Sequence, residues 1–104
     1  MIRVIIGFKK KNHANIDPAP RSLRSYAMTL CGFRGAEVLE SVGDPSVVML
    51  MVDWETAENY RDWESSVIRK QAFDAARPQL ADEPRVTTYN FAPLTGWSCR
   101  GIEP

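Results

Sequence analysis

SVVMLMVDWETAENYRDW, residues 46–63, decides how the rest of this 104-residue chain is read. It opens with six consecutive apolar residues, Val47 to Val52, stops at Asp53-Trp54, and continues as a helix bearing Asn59 and Trp63 one turn apart. Six residues are far short of the roughly 20 that a membrane-spanning helix needs. As a strand the run has no polar side, so both of its faces must be covered. Helices cover one face in a chain this small, and a second copy of the chain is the natural cover for the other. That predicts a homodimer packed sheet against sheet.

Outward from this stretch, turn and strand signals alternate. Gly43-Asp44-Pro45-Ser46 is a turn cluster with proline suited to a corner, and Phe33 to Val42 precedes it as a strand, so the two strands form a hairpin. Thr56 can cap the helix that follows. Ser65-Ser66 marks a break or re-capping, a helical segment runs from Ile68 to about Ala76, and Pro78 ends it or lies near its end. Toward the amino terminus, Met1 to Phe8 is rich in β-branched residues and reads as a strand. Lys9 to Ile16 is a polar loop. Asp17-Pro18 has the form of a helix start. Leu23, Tyr26, Ala27 and Leu30 then give one apolar helical stripe, and Gly32 stands where a carboxy-terminal cap belongs. Arg85 to Phe91 is the last strand, opened by Pro84. Residues 1–93 thus form one domain, and 94–104, with Gly96 and Trp97, an irregular tail. The order β-α-β-β-α-β predicts an α+β, ferredoxin-like fold: a four-stranded antiparallel sheet with helices on one face.

Composition narrows the function classes. Thirteen basic residues balance thirteen acidic ones, so no net field favours nucleic acid or an anionic membrane, and neither is an expected partner. Lys9-Lys10-Lys11 reads as a solvated loop. Cys31 and Cys99 have no metal-ligand spacing and read as reduced thiols, with a cytoplasmic location. The amino terminus does not read as a signal peptide. His13, the single histidine, lies in the lysine-rich loop without a recognisable partner for acid–base work. No phosphate loop, paired carboxylates, catalytic triad order or metal site is visible.

CGFRGAEVLESVGDPSVVMLMVDWETAENYRDWESSVIRKQAF, residues 31–73, resembles the antibiotic biosynthesis monooxygenase family of dimeric α/β-barrel proteins. The resemblance rests on Gly32-Phe33 opening the second strand, the Asp44-Pro45 turn, Trp54-Glu55-Thr56 at the end of the third strand, Tyr60 and Trp63 on the helix, and Ser65 to Arg69. It implies a cofactor-independent oxygenation of a small phenolic or quinol-type substrate. It also implies a pocket between helices and sheet, in which Asn59 and Trp63 bind and polarise that substrate. An electron-rich phenolate can pass an electron to O₂ once deprotonated, so such a protein needs only a dry pocket, hydrogen bonds to substrate oxygens and room for O₂. Phe33, Arg69, Phe73 and Tyr26 are the further substrate-binding candidates. A haem-degrading branch of the same superfamily uses a first-strand Asn and a His about three turns after the helix Trp. This chain has Gly7 and Phe73 at about those places, so haem breakdown is not expected.

Each candidate also has a plain structural reading. Trp63, Phe33 and Phe73 suit a core, Asn59 a solvated helix surface, and Arg69 a salt bridge. Met28, Met49 and Met51 are flexible apolar fillers. The alternative to an enzyme is a dimeric, non-catalytic small-ligand-binding or stress-response module using the same cavity.

Overall fold

The computed structural model describes residues 1–12 and 16–92, together with the backbone of 97–98 and 101–102. His13 and Cys99, both read from the sequence, lie outside the described residues. The elements in order are β1 (Ile2–Lys9), α1 (Pro18–Ala27), β2 (Phe33–Glu40), β3 (Val47–Trp54), α2 (Ala57–Glu64), α3 (Val67–Ala76), a 3₁₀ turn (Arg77–Gln79), β4 (Arg85–Asn90), and the short β5 (Trp97–Ser98) and β6 (Gly101–Ile102). β1 to β4 form one antiparallel sheet in the order β2-β3-β1-β4. This is the ferredoxin-like plan, with its second helix in two pieces.

That division is written in the serines. Thr56 accepts a hydrogen bond from the Asn59 N–H (3.1 Å) and starts α2. Ser66 has an extended backbone, accepts from the Arg69 N–H (3.2 Å) and starts α3. Each hydroxyl satisfies a donor that a helix start leaves without an intrahelical partner, a stabilisation of roughly 1 kcal/mol. Pro78 falls inside the 3₁₀ turn after Ala76, where α3 has already ended.

β3 alternates strictly. Val48, Leu50, Val52 and Trp54 are buried, and Val47, Met49, Met51 and Asp53 are half-buried. The buried set faces the helices with Val4, Ile6 and Phe8 of β1 and Leu23 and Ala27 of α1. Each such aliphatic side chain contributes about 1.5–3 kcal/mol by leaving water. The other face carries Met49 and Met51, cross-strand from Gly7 and Ile5 of β1 and from Leu39 and Glu37 of β2. Arg3 and Asp53 join there in a two-pronged ion pair (2.8 and 2.9 Å).

Four local expectations need correction. Gly32 does not cap α1: the helix ends at Ala27 with Met28 as its cap, because successive tight turns (Thr29 N–H to Tyr26 O, Leu30 N–H to Ala27 O) draw the chain off the helical path. Gly32 instead carries the left-handed turn into β2, at φ 84°. Asp17 stands at the predicted start of α1, but it has a helical backbone and its side chain does not cap. β2 stops at Glu40, and Val42 lies fully exposed in the turn. The tail, expected to be irregular, holds an antiparallel pairing of Trp97 with Ile102 and Ser98 with Gly101.

Candidate functional site

Parity places the aromatic residues. Trp54 is the last residue of the buried register of β3, and α2 begins just beyond it. Tyr60 and Trp63 lie at i and i+3 on α2 and both turn inward, Trp63 with no exposed surface. The rings form a chain. Phe33 meets Trp54 edge-on at 6.1 Å between centroids, Trp54 meets Trp63 at 5.6 Å, and Trp63 meets Tyr60 at 6.4 Å. Separations of this kind are the favourable ones for aromatic pairs.

Arg69, in the first turn of α3, closes this chain toward Phe73. Its guanidinium carbon lies 5.3 Å from the Trp63 ring centre and 4.6 Å from that of Phe73, and Phe73 in turn meets Phe8 at 6.1 Å. Both rings offer the cation their negative faces. Glu64 does not pair with Arg69. Its Oε2 accepts the Tyr60 hydroxyl at 2.6 Å, and among the described residues Arg69 has no salt bridge. Burial pushes the Arg69 pKa down, with Tyr60 and Glu64 pulling the other way. Burial also pushes the Tyr60 phenol up to about 12, assisted by its hydrogen bond to Glu64. Tyr60 is therefore neutral at ordinary pH.

The chemistry of the cluster lies in what it leaves unmatched. Trp54 Nε1, Trp63 Nε1 and Arg69 Nε are buried without a hydrogen-bond partner among the described residues. All three are donors. A buried donor left without an acceptor costs about 1–3 kcal/mol, and such groups are rare in folded proteins.

Asn59 sits one turn before Trp63 but faces a different neighbour. Its Oδ1 accepts from the Thr56 hydroxyl at 2.7 Å, and its side chain fills the space beside Gly32, where an added Cβ would come within 2.1 Å of Oδ1. Of the six candidates, the fold gathers Trp63, Arg69 and Phe73 and links Phe33 to them through Trp54. It sets Asn59 at the Gly32 turn and leaves Tyr26 half-buried at the edge of the core. Trp54 and Tyr60, which carry the resemblance but were not site candidates, belong to the cluster, as does Glu64, which the sequence reading did not name. The even-numbered register of β3 and the i, i+4 spacing of Tyr60 and Glu64 carry that information.

The sheet and helices close tightly here. Hollows open elsewhere: one of about 630 Å³ between α1 and the edge strand β2, beside Arg21, Arg24 and Glu37, and an apolar one of about 120 Å³ between α1 and α3, beside Ala19 and Ala72. Two more lie over Lys9, Val47 and Glu83, and over Arg3, Arg34 and Asp53. None of these four is lined by Asn59 or Trp63. Among the described residues, no three His, Cys, Asp or Glu side chains come together as metal ligands. No helix there is long and apolar enough to cross a membrane.

A half-split second helix roofing a four-stranded antiparallel sheet, with an aromatic cluster between, defines an α+β domain of the ferredoxin-like class. The family model for antibiotic biosynthesis monooxygenase matches residues 19–78, and the chain belongs to that family. Solved structures agree in fold. A protein from Deinococcus radiodurans with the provisional name antibiotic biosynthesis monooxygenase superposes with a TM-score of 0.80 at 15% identity, over 90% of this chain and 95% of its own. One of the same provisional name from Nitrosomonas europaea gives 0.75 at 16% identity, over 88% and 98%. A conserved protein from Methanosarcina mazei gives 0.77 at 18% identity, over 85% and 89%. No curated protein sequence matches the chain.

Proposed function

We propose that the protein is a cofactor-independent monooxygenase acting on a small phenolic or quinol-type aromatic at the Trp63 cluster. The observation that supports it most is the set of buried donors without a partner among the described residues, set among tilted and edge-on rings. Such a set suits a flat ligand with acceptor oxygens at its edge. Trp63 Nε1 donates to a substrate oxygen and stabilises the negative charge that develops as the substrate loses a proton. Asn59, held by Thr56 through its carbonyl oxygen, offers its amide N–H groups to polarise a second oxygen. Phe33 and Phe73 wall the rings, and Arg69 supplies positive charge. The substrate is the reductant: it gives electrons to O₂, keeps one oxygen atom as a carbonyl and releases the other as water.

The test is oxygen consumption with anthrone and with hydroquinone. Uptake is expected with at least one of them, falling about 100-fold or more in Trp63→Phe and about tenfold or more in Asn59→Ala, with the fold retained by circular dichroism. Uptake that is unchanged in Trp63→Phe removes the proposal. A second reading, a non-catalytic ligand-binding module, draws on the closed packing around Trp63 and the structural ties of Asn59. It predicts thermal stabilisation by an aromatic ligand without oxygen uptake.

The same proposal includes a homodimer through the open face of the sheet, where Ile5, Leu39, Met49 and Met51 form an apolar band. Contiguous apolar patches of this kind mark interfaces. Sedimentation should give a dimer for the parent chain and a monomer for Met51→Asp, which buries an unpaired charge in the contact. A parent chain that sediments as a monomer at high micromolar concentration rules this out.

A further inference from the structure

We propose that the groove between α1 and the edge strand β2 binds an extended peptide segment, which adds to β2, lengthens the four-stranded sheet by one strand and sets acidic side chains beneath Arg21 and Arg24. The inference is independent of the Trp63 cluster and of the oxygenase reading.

Three observations lead to it. The first is an open ladder. β2 is the outermost strand on its side of the sheet, and among the described residues it pairs with β3 alone. Alternate residues of such a strand direct their N–H and C=O groups outward. Residues 35–40 therefore present a row of donors and acceptors to which a further strand can pair. The second is room. A hollow of about 630 Å³ runs along this edge, walled by Pro20, Arg21 and Arg24 of α1 and by residues 36–39 of β2. Ala36 and Val38 stand opposite Val52 and Leu50, members of the buried register of β3, so both point to the helix side. Val38 is nevertheless 43% exposed, so α1 does not cover it. A strand laid along β2 would cover it with its own side chains. The third is charge. Arg21 and Arg24 share a face of α1. Both are exposed, and neither forms a salt bridge among the described residues. The acids bordering the hollow do not answer them. Glu37 stands opposite Met51 and so points to the other face of the sheet, and Asp17 has an interaction of its own. Helix-side residues of an added strand thus meet two unmatched guanidinium groups, each able to hold a carboxylate with two N–H groups. The opposite edge, β4, is exposed along all its residues, so its ladder lacks such a wall.

The probes are three capped synthetic peptides: TEVEVET, its basic counterpart TKVKVKT, and TEPEPET, which keeps the acids but whose prolines cannot donate to a ladder. Each is titrated into the full chain by isothermal calorimetry at low salt, because pairs between exposed charges are screened. TEVEVET is expected to bind at least about tenfold more tightly than either of the others. The comparison with TKVKVKT reads the charge pairs, and that with TEPEPET reads the ladder. The variant Arg21→Glu/Arg24→Glu is expected to reverse the preference in favour of TKVKVKT. Bound TEVEVET should also slow hydrogen exchange of outward amides among residues 35–40 and leave those of β4 unchanged, a measurement on the parent chain that stands even if the double variant does not fold. A preference for TEVEVET that survives the double variant overturns the proposal. So does binding of TEPEPET as tight as that of TEVEVET, no binding of TEVEVET at millimolar concentration, or protection that appears on β4 in place of β2. A dimer that persists in Met51→Asp, with residues 35–40 already protected, gives this edge to a second copy of the chain and overturns it too.

Discussion

Gly32→Ala is expected to destabilise the protein by about 2–4 kcal/mol, read as a lowered urea midpoint at unchanged slope. Two independent effects add. Gly32 has φ 84°, in the left-handed region, where an L side chain costs about 1–2 kcal/mol. The new Cβ would also stand 2.1 Å from Asn59 Oδ1, 2.2 Å from its Cγ and 2.7 Å from its Cβ. Asn59 would have to leave Thr56, loosening the start of α2 by a further ~1 kcal/mol. The double variant Gly32→Ala/Asn59→Gly separates the two, because it clears the clash and keeps the backbone strain. Its cost should be less than the sum of the single costs. Gly35→Ala is the control: nothing lies within 4 Å of its added Cβ, and it should change stability by less than about 0.5 kcal/mol. A Gly32→Ala variant as stable as that control contradicts the described contact.

Trp63→Ala is expected to cost about 3–5 kcal/mol, a large share of the 5–15 kcal/mol that holds a domain of this kind together. The ring is wholly enclosed and touches Trp54, Tyr60 and the Arg69 guanidinium, so little can collapse into the space it leaves. Trp63→Phe should cost far less. It loses ring area but also removes a buried N–H that has no acceptor, and that removal returns about 1–3 kcal/mol. Urea titration of both variants checks the order. A Trp63→Phe loss as large as that of Trp63→Ala would mean that the indole N–H is matched in solution, by water or by a bound molecule. The contrast has a practical use, since the phenylalanine variant keeps the fold while deleting the donor to which the proposed chemistry assigns the leading part.

Much of this architecture could be read from local patterns. The apolar run of β3, the Thr56 and Ser66 caps and the Asp44-Pro45 turn each involve residues close in sequence, and the structure keeps all of them. The errors fall where distant groups decide. Gly32 looked like a helix cap because glycine after an apolar stripe fits one. Its actual duty comes from Asn59, 27 residues later, and from the Glu55 N–H that donates to its carbonyl. The site was legible in part for the same reason. Trp63 and Arg69 could be picked out, and spacing placed Tyr60 on the same helix face. That Glu64 would be claimed by Tyr60, leaving Arg69 without a salt bridge among the described residues, depends on side-chain geometry no pattern encodes. Asn59 and Trp63 are one helical turn apart, yet they address different neighbours, because a shared helix face is wide enough to meet both the Gly32 turn and the Trp54 ring.

The strand order has a consequence for how the chain acquires its shape. β1 is made first and occupies an inner position, yet the partner on one of its sides, β4, is made more than seventy residues later, with Ile2 facing Asn90. During synthesis the hairpin of β2 and β3 can form early, but the flank of β1 stays unzipped until residues 85–90 leave the ribosome. A nascent chain stalled before that point exposes a strand of Ile and Val with open backbone amides, the kind of segment that chaperones bind and that other unfinished copies can pair with.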